Sequence, residues 1–158
     1  MLRRYVPVVR RRMGVMVLGL VMGLGSVSAA QAQQKSPYAF GGDNAVFMNF
    51  IKPDKAADYE GLIEKLKAGL KASDKPERKQ MAEGWKVYKA NEAGPGGSVI
   101  YISVIAPVVK GTDYSLTSLL AEMYPAEARA LYDTYVGAFP PPPTGQLFNM
   151  SLLSDLAK

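Results

Sequence analysis

Ala45-Val46-Phe47-Met48-Asn49-Phe50-Ile51 is a short apolar run, aromatic and β-branched, stopped by Lys52-Pro53; it reads as a strand. Beyond it, Ala56, Tyr59, Ile63, Leu66 and Leu70 recur at steps of three and four, with Leu62 widening the stripe. Lys55, Asp58, Glu64 and Lys71 fall off that stripe, so the spacing predicts an amphipathic helix capped by Asp54 and ending near Ser73–Pro76. Trp85–Ala90 reads as a second strand, and Glu92–Gly97, rich in glycine, as a turn. Val99–Ile105 is the strongest strand signal and pairs naturally with the second as a hairpin. Ser115 stands where it can cap a helix over Leu116–Tyr124, and Pro125 suits the first turn of another. That last helix carries Ala128, Leu131, Tyr132, Tyr135, Val136 and Phe139 on one side. Pro140–Pro143 is an extended connection, and Gln146–Leu152 a fourth strand.

The order strand-helix-strand-strand-helix-strand is the split βαβ arrangement, an α+β, ferredoxin-like βαββαβ fold with a four-stranded antiparallel sheet. A sheet with helices on one face and water on the other should alternate apolar and polar residues. These strands are apolar on both faces. Val46, Met48 and Phe50 oppose Phe47 and Ile51, and Val99, Tyr101 and Ile105 oppose Ile100, Ile102 and Val104. Phe148, Met150 and Leu152 oppose Leu147 and Leu153 in the same way. Two helices cover one face only. The other then needs a cover: a homodimer related by a twofold axis, with a cavity between the sheets, is the economical expectation, and the 33–44 tether with the loops is the alternative.

The strand ending in Ile51-Lys52-Pro53, the helix after it, the strand opening Gly84-Trp85-Lys86-Val87-Tyr88 and the apolar third and terminal fourth strands carry a resemblance. Over residues 45–153 the chain resembles the dimeric α/β-barrel superfamily of ferredoxin-like domains, near its NIPSNAP-like and antibiotic-biosynthesis-monooxygenase-like members. The resemblance implies a face-to-face dimeric α/β barrel with a ligand cavity per subunit. It does not imply one activity, because the fold hosts many.

Charge changes the picture once it is placed. The formal +5 would suggest an anionic partner, but Arg3, Arg4, Arg10, Arg11 and Arg12 supply it alone. Removing those five from 19 Lys+Arg leaves 14 against 14 Asp+Glu in residues 33–158, so a nucleic-acid partner is not expected. Residues 1–32 follow the secretory pattern: a basic stretch, the apolar run Val15–Leu24, and Ala30-Gln31-Ala32 as a cleavage site. The expected organisation is a signal peptide over 1–32 cut after Ala32, a flexible tether over 33–44 and one domain over 45–158. The product is exported, periplasmic or extracellular, with no stable membrane span after cleavage.

The chain has no His and no Cys. Nucleophile pairs built on a His, thiolate or imidazole metal sites and disulfides are therefore excluded. Carboxylates in hard-cation spacing are missing as well, so neither a metal nor a cofactor is expected. The candidate ligand-binding residues are Asn49, Trp85, Tyr88, Tyr101 and Asn149, all on strands. Asn49 is the most pointed, because a buried amide costs about 1–3 kcal/mol unless it is satisfied locally or by a ligand. Three readings stand: a binder of a small, largely apolar ligand between paired sheets, a cofactor-independent monooxygenase-type enzyme using Trp85, Tyr88 and Asn49 around an aromatic substrate, and a non-catalytic interaction module.

Overall fold

The computed structural model describes residues 36–143 and 145–157. The expected signal peptide and its cleavage point lie outside the described residues. Strand β1 (Asn44–Ile51) is followed by a 3-10 turn over Pro53–Lys55 and helix α1 (Ala56–Ala72). Asp54 thus sits in that extra turn rather than capping the helix, because Pro53 fixes a helical backbone one turn early. Helix α2 (Pro76–Gly84) leads directly into β2 (Trp85–Ala93). A tight turn with Gly96 and Gly97 at φ 64° and 77° joins it to β3 (Val99–Ile105). Then come α3 (Leu116–Met123), a 3-10 turn over Pro125–Glu127, α4 (Ala128–Ala138) and β4 (Gly145–Met150). Among the described residues no helix is long and apolar enough to cross a membrane.

The four strands form one antiparallel sheet in the order β2-β3-β1-β4, the order of a ferredoxin-like fold. Register settles which face is which. Phe47 stands opposite Ser103 and Leu147, whereas Val46 stands opposite Val104 and Phe148. Ala45, Phe47, Asn49 and Ile51 are buried, and so are Tyr101, Ser103 and Ile105. These residues meet Leu62, Leu66 and Leu70 of α1, Leu116, Leu119 and Leu120 of α3, and Ala138 of α4. Both clusters of buried side chains lie on this one side of the sheet.

Residues 36–43, read from the sequence as part of a tether, run against the domain. Phe40 is buried, Tyr38 meets Phe47 edge-on at 5.7 Å, and the Tyr114 and Val108 amides donate to the Tyr38 and Asp43 carbonyls. Helix α2 is an element the apolar pattern does not announce. Its sequence, PERKQMAEG, offers the core one large side chain, Met81, with Ala82 packed beside it. It is held by Arg78 and Lys75, which both reach Glu122 of α3, at 2.7 and 2.9 Å. The two cations hold the Glu122 carboxyl down at about 2, with the hydrogen bond from Arg78 the main cause.

Candidate functional site

The five candidate residues fall into separate places. Asn49, Trp85 and Tyr101 face the helices, Tyr88 faces away from them, and Asn149 lies at the edge strand. Tyr88 is half exposed beside Lys86, its neighbour on the same face. Trp85 and Asn49 therefore cannot line one pocket with Tyr88 inside a single chain.

Each of the helix-facing residues has its own setting. Trp85 packs against Phe47 and Tyr114, with ring centroids 5.8 and 5.5 Å away, and its Nε1 is buried with no hydrogen-bond partner among the described residues. Tyr101 donates a 2.7 Å hydrogen bond to Glu60, which Lys89 also reaches at 2.9 Å. Burial, and then that carboxylate, push the Tyr101 phenol well above its ordinary range. Asn149 accepts from the Gly42 amide at 2.8 Å and so fastens the incoming chain to β4.

Asn49 is different because one end of its amide is committed and the other is open. Its Nδ2 donates to the Tyr59 hydroxyl at 2.7 Å. Burial, partly offset by that bond, pushes the Tyr59 phenol up to about 12. Asn49 also lines a cavity of about 440 Å³ between β1, β4 and α4, with Pro37 and Tyr38 on its walls as well. Tyr132, Tyr135, Val136 and Phe139 of α4 and its C-terminal end form the opposite wall. The sequence puts those four on one apolar side of the helix and gives no sign of the cavity. In the structure that side is too wide for the core, leaving Tyr132 and Val136 49 % and 44 % exposed.

On the other side of the sheet, Val46, Met48 and Phe50 line up with Ile100, Ile102 and Val104, all only half-buried by their neighbours. Phe148 and Tyr88 extend this face onto the two edge strands, 47 % and 52 % exposed. No described helix packs there. Compared with family models, curated proteins and solved structures, the chain finds no match.

Proposed function

We propose that the protein is an exported binding protein that works as a face-to-face homodimer, of the dimeric α/β-barrel type, holding a small, largely apolar ligand between its sheets. The observation that carries this is the apolar sheet face that no described helix covers. Four strands about 4.8 Å apart and roughly seven residues long present a face of roughly 19 by 23 Å. With side-chain relief, that approaches the roughly 600–1,000 Å² per partner of a stable interface. Its centre is Ile, Val, Met and Phe, and a soluble monomer rarely leaves such a patch in water. Lys86, Tyr88 and Gln146 supply polar groups toward its edges, where a bound molecule's polar end would lie.

Native mass spectrometry of the exported protein, purified without detergent, tests both halves of this reading. A dimer with a reproducible additional mass is the expected result. A dimer without it removes the ligand and keeps the pairing, and a monomer at micromolar concentration overturns the whole proposal.

A further inference from the structure

We propose a second binding site on the helix side of the sheet, in the cavity between β1, β4 and α4, for a neutral planar molecule carrying a hydrogen-bond donor. This site is independent of the paired-sheet reading, because Asn49 and Phe47 point to the opposite face from Met48 and Ile102.

Three observations define the ligand. The first is charge. None of the described residues lining this cavity is Lys, Arg, Asp or Glu, in a chain that is 21 % charged. Two clefts beside α1 do have such groups on their walls: Glu64, Lys67 and Lys71 in one, Glu60 and Lys89 in the other. An ion entering the uncharged cavity would lose its hydration with nothing to replace it. The second is shape. Tyr38, Tyr132, Tyr135 and Phe139 contribute aromatic rings, which favour a flat, apolar partner by stacked or edge contacts. At about 440 Å³ the space is within the range of small-molecule sites.

The third is the open end of Asn49. The residue is only 6 % exposed, and its Oδ1 accepts no hydrogen bond from the described residues. A Cβ on Gly145 would stand 3.5 Å from that oxygen and 2.9 Å from the Met48 carbonyl. Glycine at 145 thus keeps clear the space in front of an unpartnered acceptor at the cavity wall. A phenol or aromatic N–H placed there would complete the amide's hydrogen bonding. Burial, first, and the neighbouring phenols Tyr38 and Tyr59 keep Tyr135 protonated and the wall uncharged.

The test titrates the exported protein calorimetrically with 2-naphthol, 2-methoxynaphthalene and 2-naphthoate at neutral pH. Saturable binding of the naphthol is expected, with the methyl ether about tenfold weaker for want of a donor, and no binding of the carboxylate. Val136→Lys, on the exposed rim, should abolish naphthol binding without lowering the melting temperature. Asn49→Leu should bring the naphthol down to the level of the ether. Ile102→Lys, on the opposite face, should leave naphthol binding unchanged. Equal affinity for naphthol and ether, or naphthol binding untouched by Val136→Lys, overturns the proposal. Loss of binding in Ile102→Lys with Val136→Lys silent would overturn it too, and would place the ligand between paired sheets.

Discussion

Asn49 of β1 and Tyr59 of α1 are joined by a 2.7 Å hydrogen bond at the sheet–helix interface, amide nitrogen to phenol oxygen. Tyr59 is wholly buried, and its ring lies 4.8 Å from Tyr101 and 6.4 Å from Tyr135. The bond is thus the polar centre of an aromatic cluster, and it leaves one end of the amide toward the helix-side cavity.

Removing either partner strands the other in a dry site. Tyr59→Phe and Asn49→Ala should each cost about 1–3 kcal/mol in urea unfolding, and the double variant should cost less than their sum by about 1 kcal/mol. Strict additivity would mean that the two groups do not interact in solution.

The same cluster makes the fold sensitive to alkali. Burial raises the Tyr59 phenol from its ordinary 10 to about 12, and Tyr101 and Tyr135 are raised as well. Because the folded values lie above the unfolded ones, this stability is whole below pH 10 and lost as pH rises through 12. Tyr59→Phe should flatten the fall in melting temperature over that interval, measured against the parent protein. An unchanged slope would show that Tyr59 does not titrate on unfolding.

Two buried glycines should respond differently to alanine. A Cβ on Gly84 would stand 2.8 Å from the Pro107 carbonyl, where the backbone is held by the Ala106 amide donating to Gly84 itself. Gly84→Ala should cost about 1–3 kcal/mol as overpacking. A Cβ on Gly69 meets instead the end of Met123, with its Sδ at 2.5 Å. Methionine can turn aside, and alanine gains about 1 kcal/mol of helix propensity, so Gly69→Ala should be close to neutral. Chemical unfolding of the two variants decides it.

The strands and the helix stripes were legible because apolar periodicity is what forms them, and the strand order follows from that sequence of elements. Helix α2 was not, since Met81 alone gives no period; its place comes from ion pairs with Glu122, which only the fold brings near. Which sheet face meets the helices was also hidden, because Phe47 and Ile51 are no more apolar than Met48 and Phe50. Asn49 stood out as an amide in an apolar strand. The rest of its cavity did not, because Tyr38, Tyr135 and Gly145 come from segments far apart in the chain and are united by the β1–β4 register.

That register also supplies the most direct test of the uncovered face. Ile102 stands opposite Met48 on one side and Tyr88 on the other, at the middle of the apolar surface. Its side chain points away from every buried cluster, so a longer polar residue there disturbs no helix contact. Ile102→Lys should change the unfolding free energy of the fold itself by less than about 1 kcal/mol, because it lies outside the core. In a paired sheet each copy would bury such a lysine in an apolar interface, leaving two like charges without counterions. Sedimentation velocity at micromolar concentration should therefore show a dimer for the parent protein and a folded monomer for Ile102→Lys. A parent protein that sediments as a monomer, or a variant that still pairs, would mean that this face is covered in some other way.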